Sequence, residues 1–368
     1  MKKTKWWKIV MICVASVLAL IMLVVGGYAI YISCQYYRID DFQDITTHNN
    51  QSTKVGLNTN LTITTYNIGF GSYDPEFSFF MDNGVTTDGK KLTGKQSRGK
   101  SKERVVENTT GAVDTIKALD VDFALFQEVD VKATRSYNYD QYKHITDNFS
   151  GYSHSFSQNF HSAYLFYPLT KPHGFVDAGI VTLSKYEVTS AVRRSLPIDE
   201  SFPTKFFDLD RCLQITRLPV DGSEKELVII NLHMSAYDKG GVYRKKQVEL
   251  LNEILKTEKD AGNYVVVGGD FNHDIASSKN LFPTNRKQAD WVYTLENSDL
   301  TVGYRFVSNT NTSTCRSSDA PYVKGENYEV VIDGFICSDN VETVEITNID
   351  TGYKYSDHNP SKLTFKLI

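Results

Sequence analysis

Ile9 to Ile32 is a run of 24 residues without one charge, and no other segment restricts the chain so strongly. At about 1.5 Å per helical residue it would reach roughly 36 Å, more than the ~30 Å of a hydrocarbon core. Lys2, Lys3, Lys5 and Lys8 precede the run with no acid among them, which predicts a cytoplasmic N-terminus. Trp6 and Trp7 on one side, with Tyr28, Tyr31, Tyr36 and Tyr37 on the other, suit the two aromatic belts of a bilayer. The competing expectation, a cleaved signal peptide, calls for a shorter apolar region and an A-x-A-like site, and neither is seen. Cys34 follows Tyr31-Ile32-Ser33, and Tyr is wrong three positions before a lipoprotein cysteine. The chain therefore divides into a basic cytoplasmic tail (1–8), a transmembrane signal-anchor (9–32), a polar stalk (33–58) and one domain (59–368). The expected protein is single-pass in the plasma membrane, with its domain outside the cell.

Charge is unevenly spread. The whole chain carries −4, but without the four N-terminal lysines 36 basic residues face 44 acidic ones. So acidic a domain is a poor generic binder of polyanions, because nucleic-acid affinity comes mainly from neutralising phosphates. Cys13, Cys34, Cys212, Cys315 and Cys337 form no CxxC pair and no zinc spacing. Unpaired buried thiols are expected, with a Cys315–Cys337 bridge as the alternative.

From Leu61 the chain alternates β-like runs with amphipathic helices. LTITTYN (61–67) puts Leu61, Ile63, Thr65 and Asn67 on one face. FALFQEV (123–129), GIVTLS (179–184), CLQITRL (212–218), ELVIINLHM (226–234) and YVVVGGDFN (264–272) read as further strands. VVIDGFICS (330–338), VETVEITNI (341–349) and KLTFKL (362–367) complete the set. Helical spacing predicts helices over 104–119 and about 242–258. The basic stretch 84–104 reads as an exposed loop. With no internal repeat and no second linker, this is one α/β domain.

Residues of metal-ligand type recur where the strands end: Asn67, Gln127 and Glu128, His233, Asp270 and Asn272, then Asp333, and finally Asp357-His358-Asn359. Open α/β sheets bind ligands beyond the carboxyl ends of their strands, so separated residues can meet in one cleft. Each piece alone has a bland reading: QE as a turn to solvent, GDFN as a loop relaxed by Gly268 and Gly269, Asp-His as a cap. Asp333, set in an apolar run, is harder to dismiss, because an unpaired buried carboxylate is costly. Carboxylate and amide oxygens without thiolates suit a hard cation, Mg²⁺ or Mn²⁺. A histidine beside a buried aspartate has the chemistry of a general base.

In this order, TYNI with Asn67, Gln127-Glu128, NLH at 231–233, GDFN at 269–272, ID at 332–333 and SDH at 356–358 resemble the endonuclease/exonuclease/phosphatase superfamily. It includes pancreatic-type deoxyribonucleases, apurinic endonucleases, inositol polyphosphate 5-phosphatases and neutral sphingomyelinases. The likeness spans roughly 61–368 and is similar to that of membrane-anchored bacterial-type members. It implies a four-layer α/β sandwich, two face-to-face mixed β-sheets flanked by helices. It also implies that Glu128, helped by Asn67 and Asp357, holds the metal. His358, oriented by Asp333, would be the base or a phosphate-binding imidazole. Asp270 and Asn272 would hold the attacking water and the scissile phosphate, while His233 and Arg211 contact phosphate. Members use either that histidine or the aspartate of GDFN as base, and the sequence leaves both open.

The expected function is metal-dependent hydrolysis of a phosphate mono- or diester in a lipid or small-molecule headgroup at the outer membrane face. The alternatives are an extracellular nuclease of DNA or RNA, gripping its strand with Lys90, Lys91, Lys95, Arg98, Lys100, Lys102 and Arg104, and a non-catalytic phosphate-binding protein. Nothing in the sequence marks a protein partner. The charge asymmetry yields a direct expectation: protease added to intact cells or protoplasts removes the domain. A domain protected until lysis would reverse the assigned orientation.

Overall fold

Side chains along FALFQEV divide between two apolar layers. Phe123 and Leu125 enter one buried cluster, and Ala124 and Phe126 enter another. A strand apolar on both faces must lie between two layers, and the computed structural model of the chain has that architecture. It describes residues 5–236, 238, 240–289 and 291–368.

In chain order, helix α1 (Trp6–Gln35) is followed by strands β1 (Gln43–Asp44) and β2 (Leu61–Asn67) and the hairpin β3 (Asn83–Val85) and β4 (Lys91–Thr93). Next come α2 (Lys102–Lys117), β5 (Phe123–Ala133), α3 (Gln141–Asn148), β6 (Ser153–Leu165), β7 (Gly174–Ser184) and β8 (Ser190–Ser195). Then follow β9 (Cys212–Pro219), β10 (Glu226–His233), α4 (Val242–Ala261), β11 (Tyr264–Asp270) and β12 (Tyr304–Val307). The chain closes with β13 (Cys315–Arg316), β14 (Glu329–Val330), β15 (Asp333–Ser338), β16 (Val341–Asn348) and β17 (Ser361–Leu367).

One large sheet has the order β1-β8-β9-β10-β11-β15-β12, the other β16-β17-β2-β5-β7-β6. Each contains one parallel pair, β10 with β11 and β2 with β5, and a parallel pair needs a crossover. Helices α4 and α2 supply them. Leu251, Ile254 and Leu255 of α4 cover Val228, Ile230 and Val265 on the outside of the first sheet. Ala112, Val113 and Ile116 of α2, with Ile145 of α3, cover the outer face of the second. Between the sheets Leu61, Ile63, Phe123, Leu125, Ile229, Val266, Phe335 and Phe365 form the central core. Each fully buried side chain of this size stabilises by about 2 kcal/mol. These are the four layers that the resemblance implied.

The strands expected from apolar runs are all present. Strand β6 was not visible in the sequence, because its inward positions include Ser155, Ser157 and Asn159 rather than aliphatic residues. The five cysteines are free, and Cys212, Cys315 and Cys337 are buried.

Two expectations need correction. Residues 33–58 do not form a free stalk. Strand β1 pairs with β8 at the sheet edge, His48 bridges His154, and Val55 is fully buried in the central core. The amides of Asn49 and Asn50 donate to the carbonyls of Ser150, Tyr152 and Val188. Polar composition suggested solvation, but these side chains serve backbone acceptors of the domain. Nor is 84–104 a plain loop. It holds the hairpin β3–β4, a packed strand-like segment in which Phe79 bridges Gln96, and the start of α2, capped by Ser101.

Fully buried Arg193 fastens the N-terminal segment. Its Nε donates to the Gln158 carbonyl at 2.8 Å, Nη1 to Asp40 at 3.0 Å and Nη2 to Asp210 at 2.9 Å. Arg193→Met leaves those carbonyls unpaired, so we expect a loss of about 3 kcal/mol in chemical unfolding. Protease should then cut within 36–58 before the rest of the domain. Unchanged stability would show that the segment is not held through this residue.

Candidate active site

The site is built at one end of the two central strand groups. Register places His233 of β10 opposite Asp270 of β11, and Asp270 opposite Asp333 of β15, so three polar side chains stand in a row. The close approach needs Gly269, whose φ is +153° and where a Cβ would meet the Leu232 carbonyl oxygen at 2.0 Å. Asn67 reaches this row from the other sheet: its Nδ2 donates to Asp270 Oδ2 at 3.0 Å and Glu128 Oε1 at 3.3 Å.

Glu128 owes its position to a β-bulge. Phe126 pairs with Val181 and Val129 with Gly179, so Gln127 and Glu128 together stand against one residue of β7. Glu128 takes φ +54°, and the bulge turns its carboxylate toward the cleft while Gln127 points between the sheets. There Gln127 Nε2 donates to Asn231 Oδ1 at 2.8 Å, and Asn231 donates to the Val181 carbonyl at 2.9 Å. Gln127 is thus a core residue rather than part of the site.

His358 Nδ1 donates to Asp333 Oδ2 at 2.8 Å, and its Nε2 lies 3.8 Å from Asp270 Oδ2. His233 Nε2 lies 3.4 Å from the same oxygen and 4.0 Å from Glu128 Oε1. Burial opposes protonation of both imidazoles, but the outcomes differ. Asp333 carries His358 well above the usual value, whereas Arg211, His358 and Arg135 add to burial and hold His233 well below it. Burial and then Asp333 push Asp270 up to about 6. Burial also raises Glu128, Arg135 opposes it, and nearby Asp357 adds to the rise.

Nearly every predicted site residue meets here. Asn67 acts as a clamp, because its Oδ1 accepts the Gly69 N–H at 3.0 Å and leaves the amide nitrogen for the acids. Asn272, at φ +49°, is turned away: its Nδ2 donates to the Met234 carbonyl at 2.7 Å and its N–H to Asp270 Oδ1 at 2.8 Å. Asn359 is structural, donating to the Ser313 carbonyl. Arg211 is 3% exposed, and its Nε and Nη1 have no hydrogen-bond partner among the described residues.

Thr314 and Arg135 are not marked by the sequence, and Ser356 enters there only as part of SDH. Ser356 Oγ donates to the Asn67 carbonyl at 2.8 Å, locking the SDH loop to β2. Thr314 Oγ1 accepts the N–H groups of Ile332 and Asp333. Buried Arg135 pairs with Asp130 at 2.8 Å, stacks 3.9 Å above Phe70 and faces Glu128. Ser356 is the serine of SDH itself; Thr314 and Arg135 lie in unremarkable stretches.

For a metal, two groups qualify. Glu128 and Asp357 offer hard oxygens, and their mutual repulsion is the kind that a cation relieves. Asp270, Asp333 and His358 also present ligand atoms within 4.8 Å of one another. Two face-to-face sheets thus carry buried acids, imidazoles and, on Arg211, two donor nitrogens without partners among the described residues. The family model for the endonuclease/exonuclease/phosphatase family matches residues 64–358, and the chain belongs to that family of phosphoester hydrolases. No curated protein matches it. Among solved structures, an endonuclease/exonuclease/phosphatase from Beutenbergia cavernae is 16% identical with TM-score 0.55, over 84% of this chain and 72% of that one. The human Nocturnin catalytic domain with bound sulfate is 13% identical with TM-score 0.53, over 88% and 99%. D. rerio TDP2 complexed with a single-strand DNA product is 13% identical with TM-score 0.52, over 84% and 99%. At these identities the likeness is one of fold.

The His358–Asp333 pair can be tested without any substrate. His358→Ala strands a buried carboxylate and should cost about 3 kcal/mol in urea unfolding. The double variant Asp333→Asn/His358→Ala should cost clearly less than the sum of the single changes. Additive costs would mean that the two residues do not act as a unit.

Proposed function

We propose that this chain is a divalent-metal-dependent phosphoesterase acting on a phosphate ester in a lipid or small-molecule headgroup at the outer membrane face. The observation that carries the reading is Arg211. A guanidinium stays charged at any ordinary pH, so a buried one with two unused donor nitrogens calls for an anion. Phosphate satisfies it in a forked geometry. The neighbouring acids require a cation between themselves and that anion, and Glu128 and Asp357 are the side chains that would hold Mg²⁺ or Mn²⁺. When bound, such an ion polarises a phosphoryl oxygen and offsets charge on the leaving oxygen.

The protein's own groups divide the remaining work. His358 is kept cationic by Asp333, so it donates toward phosphate instead of accepting a proton. Asp270, anchored by Asn67 and by the Asn272 N–H, is left as the base that takes a proton from water. His233, held neutral by burial and by the charge of Arg211, stands beside Asp270. Asn67 and Asn272 position Asp270 in this scheme. A nuclease is less well supported, since Lys100 pairs with Glu76 and Arg104 with Asp74, which removes two of the seven gripping cations.

The test is the full chain in detergent with Mg²⁺ or Mn²⁺, assayed on sphingomyelin, phosphoinositides, simple phosphate mono- and diesters and plasmid DNA. Turnover of a headgroup or small ester is expected, with loss of more than about 100-fold in Glu128→Gln and on chelation by EDTA. Activity that survives either change would sink the metal assignment. Cleavage confined to DNA would favour the nuclease.

A further inference from the structure

Two loops carry exposed apolar side chains against the end of α1. The first, 164–169, holds Phe166, Tyr167 and Leu169, the last two 68% and 84% exposed. The second, 202–207, holds Phe202, 70% exposed, and Phe207. Exposed aromatic residues grouped in this way mark an interaction surface rather than ordinary solvent-facing side chains.

The contacts with α1 set the level at which these loops sit. Counting from Ile9, the first 20 residues of the uncharged run end at Tyr28 and cover about 30 Å, the depth of a hydrocarbon core. Tyr28 therefore marks the outer edge of the hydrocarbon. The Phe166 ring meets the Tyr28 ring edge-on at 5.4 Å, and the Tyr28 hydroxyl donates to the Tyr164 carbonyl at 3.2 Å. The Tyr164 N–H in turn donates to the Tyr31 hydroxyl at 3.2 Å. Just beyond the helix, Tyr36 meets Phe206 at 5.4 Å, and Phe206 packs on Phe202 at 5.7 Å. The first loop is thus fixed at the height where acyl chains give way to headgroups, and the second meets the chain at Tyr36, eight residues or about 12 Å further out.

Their chemistry suits that height. From Leu165 to Phe175 the only charged side chain is Lys171, and residues 202–207 read Phe-Pro-Thr-Lys-Phe-Phe. Lys205 lies 4.7 Å from the centre of the Tyr36 ring. Aromatic rings with a lysine in each loop suit an interfacial anchor, although Glu200 and Asp208 flank the second loop. The second loop runs into Arg211, and the first runs on to buried His173, whose Nδ1 meets the Ser97 carbonyl at 2.9 Å.

We propose that segment 164–169 inserts its apolar tip into the outer leaflet while 202–207, anchored higher at Tyr36, rests its exposed Phe202 against the headgroups, so that the domain lies on the bilayer. The proposal relies on the reading that 9–32 spans the membrane and that the site takes a headgroup phosphate. The partner is a phospholipid surface.

The test uses the full chain, with Cys13→Ser and Cys34→Ser, in vesicles of phosphatidylcholine and phosphatidylglycerol. Leu169→Cys, Phe202→Cys and, as a remote control, Val302→Cys each receive an environment-sensitive fluorophore. Emission at 169 and 202 should shift to the blue and be quenched several-fold by lipids spin-labelled near the headgroup, while 302 stays unquenched. Labels at 169 and 202 as wet as that at 302 overturn the proposal. A blue shift without lipid quenching also overturns it, because it shows contact with protein. Quenching at 169 and 202 without hydrolysis of any lipid or small ester upholds this surface and overturns the function proposed above. Hydrolysis of vesicle lipid with no quenching overturns the surface alone.

Discussion

The pairing of β10, β11 and β15 in register is the constraint on which the rest depends. It fixes His233, Asp270 and Asp333 side by side, at spacings where buried charges cannot ignore one another. A one-residue slip in either pair would send one of these side chains to the opposite face. Gly269 is what allows the strands to approach at this point, because any Cβ there would collide with the Leu232 carbonyl.

The space between the sheets changes character along the strands. At one end it is filled by aliphatic and aromatic residues such as Leu61, Val266 and Phe335. Toward the site the inward positions become Thr65, Gln127, Asn231, Thr182 and Gln214, each hydrogen-bonded to the next. This layer of hydrogen-bonded neutral side chains lets the chain pass from a dry core to a cluster of acids. Around the site Arg211 Nε and Nη1, His233 Nδ1 and Asp333 Oδ1 are buried without partners among the described residues. These atoms belong to the residues proposed to meet the phosphate.

The attachment of α1 follows a different logic. Residues 36–58 add an edge strand, fill a core position with Val55 and bond to backbone carbonyls, so the domain is held close to the helix instead of swinging on a tether. A fixed connection of this kind gives the aromatic loops beside α1 a defined height, which a flexible stalk would not.

The sequence by itself determined the apolar helix, the main strands and the ordered set of site residues, because each depends on local periodicity or on residue type at a strand end. It also made Asp333 conspicuous, since a carboxylate in an apolar run needs a partner, and His358 proved to be that partner. Only the tertiary structure decided how the parts meet. The bulge that turns Glu128 outward and Gln127 inward depends on pairing with β7, and no local pattern announces it. Arg135, Thr314 and Ser356 matter through contacts made across long stretches of chain. The supposed stalk and the basic loop were misread for one physical reason. Side-chain polarity reports preference for water, whereas strand pairing and carbonyl capping use backbone groups that every residue carries.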